Sequence, residues 1–304
     1  MFEENDFKII GIDENQGEGF ARKPITYWGD ALRRFKENKV AVFAFILLVL
    51  IALMTIIVPM VSPYSVSEMN LPERKLWPSA QYWFGTDDIG RDLFTRVWAG
   101  GRVSIVIGIL GAAIVAVVGC IYGGIAAFFG GRTDMIMMRI VEILSSVPHL
   151  LVVILMSVVL ESSSIPTLLF AMTVTGWCPI ARLVRSQMLQ ISRSEYVMAA
   201  KIMGVSPLNI VLRHMIPNTL SVIIVAVTFR IPGFIFGEAF LSYVGLGVQP
   251  PNTSWGALAS AGQNSLLFYP YMMVFPSLCI AMTMLCFTLM GDGLRDALDP
   301  KLRR

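Results

Sequence analysis

Arg230 and Glu238 are the residues of this sequence whose chemistry fits least easily with their neighbours, because both stand in the apolar run 220–241. A charged side chain near the centre of a bilayer costs roughly 2.5–3.5 kcal/mol on insertion scales. Arg230 should therefore face protein or water rather than lipid, and Pro232 and Gly233 loosen the helix just after it. Two readings are open. In one, the guanidinium forms an ion pair with Glu238, Glu142 or an acidic residue of another subunit. In the other, it lines a pathway and donates charge-assisted hydrogen bonds to a carboxylate carried by a passing solute.

Other reactive side chains are sparse. The two histidines, His149 and His214, have no second His, Cys or carboxylate at metal-ligand spacing. Cys120, Cys178, Cys279 and Cys286 all fall in apolar stretches without a CxxC pair, which is the pattern of packing rather than of disulfides or metal. No nucleophile elbow, P-loop or dinucleotide fingerprint occurs. Neither catalysis nor a cofactor is expected of this chain, and its 18 methionines are scattered as gap fillers.

One polar, basic segment has a grammar of its own: SRSEYVMAAKIMGVSPLNIVLRHMIPN, residues 192–218. Ser192 and Glu195 stand at capping-box spacing. Tyr196, Ala199, Ala200 and Met203 then recur as one helical face. Gly204 supplies a left-handed stop, and Ser206 with Pro207 restarts a helix as N-cap and N1. Leu208, Val211, Leu212 and Met215 form a second apolar stripe, with Asn209 and Arg213 on another face, before Pro217. Such a pair can simply lie on a membrane surface. A DNA-reading helix-turn-helix fails on context, because apolar spans flank the pair closely and its basic charge is modest; no nucleic-acid partner is expected. Two alanines ahead of a glycine point to close backbone approach by a partner.

The elements that must position these groups follow from composition. With 55% hydrophobic and 15% charged residues, the chain belongs in a bilayer. Charge-poor runs near the ~20 residues that a span needs occur at 40–61, 103–129, 135–160, 165–183, 220–241 and 271–291. An all-α integral membrane protein with six transmembrane helices is expected. The first run starts near Val40, is too long for a signal-peptide core and lacks a small-residue cleavage site, so it should act as its own insertion signal. Lys and Arg crowd residues 1–39, the second-to-third turn, the fourth-to-fifth loop and the tail, which places both termini in the cytoplasm. The loop 62–102 breaks the rule with five basic residues, but five acidic ones offset them. Within it, Asp87 and Asp88 suit a helix N-terminus, and Asp92 with Arg96 can pair at i, i+4.

Met198, Ala199, Ala200, Gly204, Ile216 and Pro217 stand at the spacing of the EAA loop, and on them the chain resembles the permease subunits of ABC importers. Residues 84–104 (FGTDDIGRDLFTRVWAGGRVS), 240–262 (FLSYVGLGVQPPNTSWGALASAG) and 291–304 (GDGLRDALDPKLRR) are similar to further signatures of the second permease of dipeptide, oligopeptide and nickel importers. The pattern departs at Met198, where Glu is expected; Glu195, one turn earlier, is the expected substitute.

The resemblance implies the type I ABC importer permease fold, with the first span peripheral and 103–291 as core. Residues 1–39 would end in a basic elbow helix, 62–102 would hold an external amphipathic helix, and 292–304 would be a cytoplasmic tail. Within the loop 185–218 the resemblance implies an ATPase-coupling set: Glu195, Ala199, Ala200, Gly204, Val205, Ser206, Pro207, Leu208, Asn209, Val211, Leu212 and Arg213. Arg230 and Glu238 remain possible pathway residues. Implied partners are a second homologous permease, two cytosolic ATP-binding subunits carrying ATP and Mg, and a solute-binding protein outside a bacterial cell membrane. The implied substrate is a peptide, with nickel as the alternative. Trp255 is expected at a membrane or protein interface. A secondary carrier would show discontinuous spans with midplane ligands, which are not evident in the sequence; a membrane scaffold is the remaining rival.

Overall fold

The computed structural model describes residues 26–160 and 164–299. The basic residues expected at 1–25 and at 300–304 lie outside them. Among the described residues all extended regular structure is helical, with one isolated bridge between Thr86 and Asp92.

Helix α1, Tyr27–Glu37, is the amphipathic elbow, and α2, Lys39–Val61, is the first span. Asn38 serves both. Its amide donates to carbonyls at the end of α1, while its side chain accepts from the Ala41 amide at 3.1 Å to cap α2. The second span, α3, is Leu93–Phe129, capped by Asp92, whose carboxylate accepts from the Thr95 amide at 2.8 Å. No separate amphipathic helix precedes it: residues 93–102 are the first turns of this span, and the loop before them holds only the short 3-10 turn Leu71–Glu73. Arg96 does not pair with Asp92, because the cap occupies that carboxylate. It turns instead to Asp87, at 3.5 Å, and to the Val66 carbonyl, at 3.0 Å. Nearby, the Tyr82 hydroxyl donates to Glu73, which raises the phenol above its ordinary pKa.

Spans three and four are broken. Gly131–Ser146 (α4) and His149–Val159 (α5) meet at 80°, and Ile165–Thr173 (α6) and Cys178–Ile191 (α7) at 49°. Pro148 accounts for the first break, since it has no amide to donate and disfavours helix in Val147. Pro179, in the first turn of α7, marks the second in the same way, since it has no amide to donate back across the break. Prolines are expected from the sequence to interrupt four spans, at Pro148, Pro179, Pro232 and Pro276; the structure bends sharply at the first two. The fourth span also runs on to Ile191, so Arg182 and Arg185 belong to a helix rather than to the loop expected from 185.

After the hinge described below, α10 (Ile216–Thr228) and α11 (Arg230–Tyr243) form the fifth span. A short helix, α12 (Trp255–Gln263), leads to α13 (Tyr271–Leu298), the sixth, which absorbs Asp292, Arg295 and Asp296 of the expected tail. Pro232 sits harmlessly in the first turn of α11, and Pro276 lies inside α13 without ending it.

Helix α3 is the central pillar. Its glycines face the helices packed on it: a methyl group at Gly111 would enter the Phe234 ring of α11, and one at Gly123 would overlap the Ala181 carbonyl of α7. The close approach is of the kind small residues permit between helices in lipid. Counting each bent pair as one span gives six membrane crossings.

Candidate functional site

The hinge forms α8, Glu195–Ile202, then a turn, then α9, Pro207–Ile210, which continues through a π-turn, Val211–Met215, straight into α10. The capping box is not formed. Ser192 ends α7 with its hydroxyl on the Leu189 carbonyl, and Ser194 takes the N-cap position while its hydroxyl donates to the Ile191 carbonyl. Gly204 has φ +75°, the left-handed stop the sequence predicts. Two backbone bonds close the turn, Gly204 amide to Lys201 carbonyl at 3.0 Å and Val205 amide to Ala200 carbonyl at 3.1 Å, the pairing of a Schellman motif.

Helix α8 buries only one member of the expected stripe, Ala200, and joins Val197 to it. Val197 and Ala200 pack with Ile210, Met215 and the α7 residues Val184 and Met188. The expected stripe members Tyr196 and Met203 are exposed, as are Met198 and Ile202, the last at 86%. Ala199 and Glu195 share this outer side. Val205 and Val211 are half-buried, Ser206, Asn209 and Arg213 are exposed, and Met215 is buried. Pro207 and Leu208 contribute helical backbone to α9, and Leu212 to the π-turn. A helix whose hidden face is anchored to the spans while its outer face stays apolar is built to be covered. Sequence reasoning missed Val197 and Ile210, the two residues that do the anchoring; the i, i+3 relation of Val197 to Ala200 was their signal.

A second site opens on one face of the bundle. Arg230, the first residue of α11, lines a cavity of about 510 Å³ together with Pro148 and His149 at the break in span three, Thr175 and Gly176 at the break in span four, and Arg182 at its edge. His149 Nδ1 lies 2.8 Å from the Thr175 hydroxyl, which ties the two breaks together, and Arg182 donates to Ser145 at 2.6 Å. None of the described residues lining the cavity is acidic.

Glu238 is elsewhere. It is fully buried and accepts hydrogen bonds from Ser254 at 2.6 Å, Ser242 at 2.8 Å and Ser104 at 3.0 Å. Ser104 and Ser254 each accept a backbone amide as well, from Trp255 and Ala257, so their hydroxyl protons are directed at the carboxyl. Glu142 is taken by Arg139 at 2.8 Å. Neither expected partner therefore reaches Arg230, which makes no ion pair among the described residues. Glu238 fastens α3, α11 and α12 to one another and is not among the described residues that line the cavity of Arg230. Trp255, expected at an interface, is also wholly buried, with its indole donating to the Val97 carbonyl at 2.8 Å.

Comparison with known proteins adds a relationship to this geometry. Residues 116–304 match the family described as binding-protein-dependent transport system inner membrane component, and residues 26–78 match the N-terminal TM domain of oligopeptide transport permease C. The oligopeptide transport system permease protein OppC of Bacillus subtilis (strain 168) is 47% identical over 300 residues, covering 99% of this chain and 98% of its own. The dipeptide transport system permease protein DppC of the same organism is 45% identical, with 97% and 93% covered. Among solved structures, a chain of the MetNI methionine ABC transporter in an inward-facing conformation aligns with a TM-score of 0.56 at 19% identity, covering 67% of this chain and 96% of that one; this likeness speaks to the fold.

Proposed function

The chain belongs to the family of binding-protein-dependent transport system inner membrane components, and from that premise we propose that it is the permease subunit of an ATP-driven importer of peptides, oligopeptides first among them. It is a multi-pass membrane protein with the fold of type I ABC importer permeases. The full-length similarity to oligopeptide and dipeptide permeases supports the substrate class. In this reading the subunit does not itself hydrolyse ATP; two cytosolic subunits do so, with Mg. A second homologous permease completes the pathway, a solute-binding protein delivers the peptide, and both termini are cytoplasmic.

The observation that carries the proposal is the outer face of α8. Tyr196, Met198, Ile202 and Met203 are exposed on a helix whose opposite side is locked to α7 and the start of span five. An exposed apolar patch on a rigid mount marks a protein interface. ATP-driven closure of the cytosolic subunits would press on this face and on Asn209 and Arg213. The continuous helical path from α9 into α10 would carry the movement to Arg230 and the cavity. Glu195, exposed in the first turn of α8, supplies the carboxylate that Met198 lacks.

Affinity purification of the chain from its own membranes tests the assignment. A second permease and an ATP-binding pair should copurify, and Ile202→Asp should release the ATP-binding pair while retaining the second permease. Isolation of the chain alone, with peptide uptake still active in that form, would contradict it.

A further inference from the structure

The cavity at the breaks of spans three and four has a charge character that the proposed function does not by itself explain. Arg230 is half-buried at the eighteenth position of the 31-residue span Arg213–Tyr243, deep between its ends. A guanidinium removed from bulk water without a counter-charge is costly, and proteins normally pair such a group or let it titrate. Arginine does not titrate usefully, and here no pairing partner is present among the described residues. Glu238, eight positions on, is engaged with three serine hydroxyls, and Glu142 with Arg139.

The surroundings preserve that imbalance. Arg182 adds a second cation at the edge, and the described lining contains no carboxylate. His149 and Thr175 contribute polar groups already joined to each other. Pro148, Gly176 and Phe234 belong to the largely apolar remainder of the lining. A space of about 510 Å³ holds a few amino-acid residues, not a whole folded partner.

We propose that Arg230, with Arg182 at the edge of the cavity, forms a transient binding site for the C-terminal carboxylate of the transported peptide. This deepens the peptide-importer reading and rests on it. The chemistry favours the terminus over a side chain, because peptides of different sequence share only their backbone and their two ends. A carrier that accepts varied side chains can orient its cargo by gripping an end, and a planar fork of N–H donors matches a carboxylate bidentately. Among the described residues lining the cavity no acidic group is there to meet the ammonium end, so the peptide is held here with its carboxyl end against α11. Because the cavity joins the breaks of two spans and the first turn of α11, movement at any of these elements changes the fit around the anion and so releases it.

The test uses the complete transporter in proteoliposomes with its binding protein saturated. Uptake of a tripeptide is compared with uptake of the same tripeptide amidated at its C-terminus, for wild type, Arg230→Gln and Arg230→Lys. The wild type should take up the free acid faster by about tenfold, the scale of one charge-assisted hydrogen bond. Arg230→Gln should bring the two rates together by slowing the free acid alone. Arg230→Lys should keep part of the preference, which separates lost charge from a misfolded chain. An unchanged preference in Arg230→Gln would overturn the site. Equal slowing of both peptides in Arg230→Gln would also overturn it, and would point to a structural role or to an anionic lipid in the cavity. Absence of ATP-driven uptake of either peptide by the wild type would instead overturn the importer reading, and the site with it.

Discussion

The Val205 amide donates to the Ala200 carbonyl at 3.1 Å, reaching back across Gly204, whose φ of +75° no L-residue adopts without strain. Space is not the obstacle there, since a Cβ at Gly204 would meet nothing within 4 Å. Gly204→Ala should therefore act through the backbone alone, at a cost of about 1 kcal/mol. The expected outcome is a chain that still inserts and assembles but couples less well, read as lower peptide-stimulated ATPase activity in the purified complex. Gly204→Asn should lose less, because Asn tolerates the left-handed region.

Exposed and buried members of α8 should part company under mutation. Met203→Asp lies on the open face and should leave thermal stability within about 0.5 kcal/mol of wild type while weakening retention of the ATP-binding subunits. Val197→Ala, fully buried, should destabilise the chain by about 1–2 kcal/mol by opening a gap between α8 and α7. Thermal unfolding in detergent alongside copurification separates the two effects.

Glu238 should prove structural. Glu238→Ala removes the acceptor of three hydroxyls and should cost about 3 kcal/mol or more. Ser254→Ala deletes one donor and a helix cap together and should cost about 1–2 kcal/mol. Both are measured as shifts in unfolding midpoint. Neither should change the preference for free-acid over amidated peptides in the molecules that remain folded.

The pillar helix offers a paired control. Gly123→Ala would drive a methyl group into the Ala181 carbonyl, and an overpacked backbone contact costs about 1–3 kcal/mol. Gly124→Ala meets only the Met188 thioether, at 3.7 Å, and should be near neutral. Yield and unfolding midpoint of the two variants should differ although they are neighbours in sequence.

These residues also mark how far the sequence could be read. Apolar runs located all six crossings, because hydrocarbon thickness imposes a length that composition reveals directly. The glycine stop at Gly204 and the restart at Pro207 were legible for a similar reason: each is a local backbone requirement met by one residue type. What the sequence hid was three-dimensional. Glu238 meets Ser104 from 134 positions away, a relation that no periodicity encodes. The break after Ser146 was foreshadowed by Pro148, yet Pro232 and Pro276 looked the same in sequence and break nothing comparable: Pro232 stands in a first turn, where a proline costs no hydrogen bond, whereas Pro276 lies inside α13 and is carried by the packing of a long helix. The apolar face of α8 was legible only at Ala200, because apolar residues stand on both sides of this helix and Val197, rather than Tyr196 or Met203, is the one turned inward.

In the proposed importer, peptide movement through this chain is driven by ATP through the outer face of α8. The most direct measurement is uptake of a labelled oligopeptide into proteoliposomes holding the assembled transporter and its binding protein, with wild-type chain or Ile202→Asp, in the presence and absence of ATP. Uptake is expected in the wild type only with ATP, and is expected to be lost in Ile202→Asp. Uptake that proceeds without ATP, or that persists unchanged in the variant, would contradict it.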